Sequence, residues 1–248
     1  MTQPKFYEIK MEKLIFQAKL AESAERYENM FCFVKGIMKE AEVLDKEIRN
    51  LITVAFTNLV RQRISEWRVI VGIEMKELSL GRTEKAYILR IYRENAEGYI
   101  TSICMEVLGF VEDWIQKQNQ IEVKVFLLKL KEKAFRNLAE FQSHELNIWI
   151  YGTDSRDKQL RAEEEAFRLT TQELSPIDPI RLGLALSLAV ISYDINGDSK
   201  KALSIAEEAF NLALPELINI PEENYKDVTL IMSMLRDNIT LWSNDLSD

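Results

Sequence analysis

Glycine and proline are scarce, with 8 and 5 residues in a chain of 248. With leucine, alanine, glutamate and lysine plentiful, so few chain breakers exclude a turn-rich fold and predict long helices joined by short connections. Cysteine occurs only at Cys32 and Cys104. Two distant thiols exclude a disulfide framework, and both lie in apolar helical patterns, so both are expected to be buried and reduced. The only histidine is His144, which leaves acid–base chemistry one candidate with no visible partner. Basic excess is also missing: the net charge of −8 argues against a nucleic-acid partner, although a local basic patch stays open. No apolar run approaches the ~20 residues that span a bilayer, and the N-terminal residues carry no signal-peptide apolar region. No membrane partner is expected, and the default address is the cytosol, with nuclear access open.

The motifs of catalysis are absent too. There is no HExxH, no Cys/His metal spacing, no glycine-rich phosphate loop and no nucleophile elbow. The acidic run Glu163-Glu164-Glu165 reads as a solvated helix face, and Met232 and Met234 as part of a wall or core. No enzyme, cofactor or metal is expected.

What is present is apolar residues at helical spacing almost throughout. The pattern predicts helices over 10–24, 27–42, 46–77, 83–115, 121–142 and 155–173. Leu14, Ala18, Ala21 and Ala24 mark one face of the first, and Leu51, Val54, Ala55, Leu59 and Val69 mark buried positions of the third. Irregular chain is expected over 143–155, around Gly152-Thr153-Asp154. Ser175-Pro176 and Asp178-Pro179 stop and restart the chain, with Asp178 as N-cap and Pro179 at the first helical position. A seventh helix ends near Gly197, an eighth near Pro215, and a ninth opens at Pro221 and ends near Trp242. The fold class expected is all-α, nine antiparallel helices in a single domain covering 1–248.

Four separated segments carry a family resemblance. Arg49-Asn50-Leu51-Ile52-Thr53-Val54-Ala55-Phe56-Thr57-Asn58-Leu59 with Trp67-Arg68-Val69, and Tyr225-Lys226-Asp227-Val228-Thr229-Leu230-Ile231-Met232 with Arg236-Asp237-Asn238-Ile239-Thr240-Leu241-Trp242, are the longest. Pro179 to Leu186 and the stretch Leu20 to Tyr27 complete the set. In order and spacing they resemble the 14-3-3 proteins. The resemblance implies a cup-shaped dimeric adaptor whose protomer holds an amphipathic groove, basic on one wall for phosphoserine or phosphothreonine and apolar on the other. The apolar wall falls on Leu186, Val190, Leu230, Ile231, Met234 and Leu241, with Asn238 and Trp242 at polar wall positions. Residues 231, 234, 238, 241 and 242 are read as one helical face. Ser187 stands where the family has asparagine, and is too short to bridge in the same way.

The phosphate pocket departs from the family pattern. Of a lysine, two arginines and a tyrosine, only one arginine is kept, at Arg136; the other positions hold Thr57, Ile64 and Asn137. Losing two charge-assisted donors costs roughly 3–6 kcal/mol, or about 10²–10⁴-fold in affinity. Residues 57, 61, 64 and 68 share one stripe at i, i+4, i+7, i+11, which puts Arg61 and Arg68 beside the vacated positions. Lys129, Lys133 and Arg136 share a face of the fifth helix. Two readings stand: a shifted anion site made by Arg61, Arg68, Lys129, Lys133 and Arg136, or a decayed groove partly filled by Arg61.

At the dimer seam, the family's first-to-fourth-helix ion pairs change. The positions are Lys13 and Glu84, with reversed but complementary signs; Asn29 and Asn95, both uncharged; and Arg26 facing Tyr99 in place of a glutamate. Leu20, Ala24 and Tyr92 must then carry association, since exposed ion pairs contribute only about 0–1 kcal/mol. The expected homodimer is weaker than that of ordinary relatives. Glu66, where relatives often have a phosphorylatable serine near the seam, supplies a built-in negative charge. The expected partners are protein or phosphoprotein segments; the competing reading is a scaffold that has lost groove binding. A tetratricopeptide array, suggested by Lys201 to Phe210, fails because no 34-residue period recurs.

Overall fold

The computed structural model describes residues 3–140, 152–194 and 197–246. Among the described residues there are nine α-helices and no strand: α1 Gln3–Ser23, α2 Tyr27–Glu40, α3 Lys46–Ser79, α4 Thr83–Ile115, α5 Ile121–Glu140, α6 Gly152–Glu173, α7 Pro179–Asp194, α8 Ser199–Ala213 and α9 Tyr225–Asp245. Two short 3₁₀ turns, Leu214–Asn219 and Glu222–Asn224, precede α9.

The caps follow local chemistry. Asp45 accepts from the Ile48 N–H at 2.8 Å at the start of α3, Asp178 from Ile180 at 2.8 Å at the start of α7, and Asp198 from Lys201 at 2.9 Å at the start of α8. Each satisfies a first-turn donor that has no partner within its helix. Gly81 and Gly197, at φ of +70° and +64°, make the left-handed turns after α3 and α7, a conformation open to glycine at no steric cost.

Several boundaries differ from expectation. α1 begins at Gln3 rather than near 10. Residues 152–155 are helical, because Gly, Thr, Asp and Ser favour helix starts as well as turns; the rest of the stretch expected to be irregular, and His144, lie outside the described residues. Pro221 precedes a 3₁₀ turn and α9 proper starts at Tyr225, running past Trp242 to Asp245.

The chain divides into two compact units, Met1–Trp114 with Asn137–Gly152, and Ile115–Arg136 with Thr153–Asp248. In the first, α1 lays Ala18 and Ala21 against α2, whose Met30, Val34 and Ile37 are fully buried. α3 buries Leu51, Ile52, Ala55, Phe56, Leu59 and Val60, then Ile64, Trp67 and Val71. Val69, expected inside, is 60% exposed: it lies two positions past Trp67, on the opposite side of the helix. A buried ionic triad ties α3 to α4. Arg93 donates from Nε to Glu74 at 2.7 Å and from Nη1 to Glu97 at 2.8 Å, and Trp67 Nε1 donates to Glu97 at 2.9 Å. Cys104 is buried as expected, but Cys32 is exposed, because α2 turns Phe31 and Val34 inward and leaves Cys32 between them on the outer side.

In the second unit, α7 belongs to two apolar clusters. Leu184 packs with Val125 and Leu128 of α5 and Ala166 of α6. Leu182 and Ala189 pack with Ala202 and Ala206 of α8 and with Val228, Met232, Leu235 and Trp242 of α9. α7 therefore holds α5 and α6 on one side and α8 and α9 on the other.

Candidate functional site

The residues expected to form the apolar wall lie on α7 and α9 of the second unit. Leu230, Met234 and Leu241 are 59%, 46% and 55% exposed, and Ile231, Asn238, Leu186 and Val190 are half-buried beside them. Gly183 of α7 faces Ile231 of α9, where a Cβ would make an ordinary van der Waals contact at 3.9 Å from Ile231 Cδ1. Trp242 is not part of this face. It is 3% exposed and stacks on Tyr193 at 5.1 Å between ring centroids. Position 242 lies a full 100° beyond 241 and joins 228 and 235 on the core side at i, i+7, i+14. Met232 is likewise core, and Met234 surface.

On α3, in the first unit, the expected stripe separates into two. Arg61 and Arg68 are exposed and Thr57 is half-buried, but Ile64 is 6% exposed and continues the core row of Val60, Trp67 and Val71. Arg68 already has an anion: both Nε and Nη2 donate to Glu140 Oε1, at 3.0 and 2.5 Å. Asn137, one turn before Glu140 on α5, is half-buried.

The cations of α5 in the second unit are also accompanied by acids. Lys129 and Arg136 are exposed and Lys133 is half-buried. Between them Glu132 is 6% exposed, and Glu163 of α6, read from the sequence as solvated, is 2% exposed. Gln159 Nε2 donates to Glu132 Oε1 at 3.0 Å, and Arg136 Nε lies 3.5 Å from the same oxygen. The Ser187 hydroxyl of α7 donates to Glu163. Burial pushes both carboxyls above the ordinary carboxylate range, and the Glu163 charge pushes Glu132 further, against the pull of Arg136, Gln159 and Lys133. Lys129, Arg136 and the Ser187 bond oppose the rise at Glu163 without cancelling it.

Sequence reading missed these acids, although a signal was there. Glu132 falls in the core row of Leu128, Phe135 and Ala139, and Glu163 in the row of Gln159, Ala166 and Thr170. A charged residue in register with buried positions is the mark of a paired interior group.

The residues expected at a dimer seam, on α1, the α1–α2 turn, α2 and α4, lie at the surface of the first unit. Lys13, Ala24, Arg26, Asn29, Glu84 and Asn95 are exposed. So are Phe16, Leu20, Tyr87, Ile88 and Tyr92, at 66%, 60%, 65%, 55% and 64%. Tyr99 and Glu66 are engaged within their own protomer: the Tyr99 hydroxyl donates to Glu28 at 2.8 Å, and Arg63 donates to both Glu66 at 2.7 Å and Glu28 at 3.0 Å.

Helices with no strand among the described residues, exposed apolar residues on α9 beside α7, cations on α5 and exposed apolar residues on α1 and α4 fit an adaptor of the 14-3-3 class. The family model for 14-3-3 protein matches residues 17–243. The chain is also 41% identical over 238 residues to 14-3-3 protein 2 of Entamoeba histolytica, covering 96% of this chain and 98% of that protein. The chain belongs to the 14-3-3 family. Its members are non-enzymatic adaptors for phosphoproteins and typically form dimers.

Proposed function

We propose that this protein is a 14-3-3 adaptor that holds protein segments on the α7–α9 apolar face and reads phosphate weakly, through a site whose surviving family donor is Arg136. The single observation that carries this reading is that the Arg136 guanidinium lies 3.5 Å from a buried internal carboxylate, Glu132. A ligand phosphate must therefore compete for Arg136 and its neighbours rather than meet vacant donors. Thr57 and Ile64 supply no cation where relatives have one, and the buried place of Ile64 makes it a packing residue. Arg61 remains as an exposed cation on α3.

Calorimetric titration with a phosphoserine peptide and its unphosphorylated twin tests the reading. Arg136→Gln should remove most of the preference for the phosphorylated peptide, a loss of up to about tenfold, and leave the twin unchanged. Equal binding of the phosphopeptide by wild type and Arg136→Gln contradicts the proposed site.

We also propose that the chain folds as one domain in the cytosol and forms a homodimer through α1 and α4. Helices α4 and α5 each contribute residues to both units, so neither unit's helices end at its boundary. The exposed row of Tyr87, Ile88 and Tyr92 supplies apolar area for association. Lys13 facing Glu84 of the second copy gives complementary charge. That reversed pair disfavours mixing with relatives of the ordinary sign.

A further inference from the structure

We propose that Glu132 and Glu163 form an internal anion that occupies the α5 cations in the unliganded protein, so that a ligand phosphate enters only as these carboxylates take up protons. This inference rests on the phosphate site proposed above and specifies how that site is regulated.

Five charged groups meet on two helices. α5 contributes Lys129, Lys133, Arg136 and Glu132; α6 contributes Glu163 along with the neutral Gln159; α7 adds the Ser187 hydroxyl. Three cations and two carboxylates leave one positive charge. A phosphoserine dianion brings about −1.5 to −2 charges and would turn the cluster negative around two carboxyls that are already buried. Uptake of one proton restores neutrality at the least cost. Both carboxyls are poised for it, since burial and their mutual repulsion already favour the protonated form over what an exposed glutamate shows. The polar partners suit either state. Gln159 and Ser187 donate to the ionised acids, and Ser187 can instead accept from a protonated Glu163. Affinity and protonation are then linked, and ligand phosphate is held more tightly as pH falls toward the ordinary carboxylate range.

Specificity follows from the same geometry. An unphosphorylated segment touching only the apolar face does not alter the charge of the cluster, so its binding moves no proton. A phosphorylated segment does, which makes proton uptake a signature of phosphate recognition in this protein.

The test is calorimetry on the full chain with a phosphoserine peptide and its unphosphorylated twin, in buffers of different ionisation enthalpy, between pH 5.5 and 8. At pH 7.5, where phosphoserine is already almost wholly dianionic, the wild-type protein should take up a proton fraction approaching one per phosphopeptide and none with the twin. Affinity for the phosphopeptide should then fall by up to about tenfold per pH unit. Glu132→Gln with Glu163→Gln keeps shape and acceptor oxygens but removes both charges. It should abolish the uptake, tighten phosphopeptide binding by about tenfold or more at pH 8, and approach wild-type affinity at pH 5.5. Phosphoserine's own titration is common to both proteins and cancels in their difference. No uptake by the wild-type protein, or wild-type uptake by the double variant, overturns the coupling even if phosphate is still preferred. Equal binding of phosphopeptide and twin by both proteins removes the phosphate site itself, and this inference with it.

Discussion

Replacing Arg93 with alanine should destabilise the protein more than any surface change on α4. Arg93 is 3% exposed and Glu74 5%, and its guanidinium bonds Glu74 at 2.7 Å and Glu97 at 2.8 Å. Burial works against the charged guanidinium, yet its bonds to Glu74 and Glu97 outweigh that and hold its pKa above the ordinary arginine value. Truncation removes the cation and leaves a carboxylate almost out of contact with water. Breaking a buried ion pair in this way costs about 3–5 kcal/mol. At about 2–4 °C per kcal/mol for a chain of this size, Tm should fall by roughly 6–20 °C. Arg93→Lys should lie between the two, because one ammonium cannot reproduce the fork that reaches Glu74 and Glu97 together. Urea unfolding at fixed protein concentration measures these differences, the concentration being held because dimerisation adds to apparent stability. A loss below about 1 kcal/mol would refute the claim that this triad ties α3 to α4.

Three further outcomes follow from the same structure. Lys13→Glu should weaken the homodimer at low salt by placing like charges opposite Glu84, and adding Glu84→Lys should restore it; sedimentation that shows Lys13→Glu unchanged means the two residues do not face each other. Glu132 and Glu163 hold their protons to higher pH when folded than when unfolded, so the native state binds more protons, and their contribution to stability is lost as pH rises from the ordinary carboxylate range through their raised values. Changing both to glutamine should flatten that slope in chemical unfolding, and an unchanged slope would assign it to other groups. Cys32 is exposed, while burial pushes the Cys104 thiol up to about 12. A maleimide at pH 7.5 should therefore label Cys32 alone in the native protein, and equal labelling of Cys104 would mean α4 opens locally.

The helices were legible because their causes are local. Asp45 and Asp178 before apolar periodic runs, and Pro179 at a first turn, mark helix starts through interactions spanning only a few residues. The outer side of α9 was nearly as readable, and Leu230, Met234 and Leu241 are exposed as their spacing suggests. Trp242 and Ile64 were misassigned because one step along a helix turns a side chain by 100°, and resemblance places a position without fixing what packs against it. The acids of α5 and α6 were missed for another reason. Composition treats glutamate as a surface residue, and only tertiary structure shows Gln159 and Ser187 bonding Glu132 and Glu163 inside the second unit. Likewise, nothing in the local sequence around Arg68 indicates Glu140, 72 residues away.

We propose a 14-3-3 adaptor whose phosphate preference is reduced by lost donors and internal acids. The most direct measurement is the ratio of dissociation constants of the wild-type protein for one phosphoserine peptide and its unphosphorylated twin, taken at pH 7.5 and physiological salt. On the proposed reading, two cationic donors fewer would remove roughly 3–6 kcal/mol of the phosphate contribution, so both peptides should bind and their constants should differ by less than about tenfold. A preference of a hundredfold or more for the phosphorylated peptide would contradict the account by showing an intact phosphate site. Failure of either peptide to bind would contradict it from the other side, leaving a scaffold rather than an adaptor.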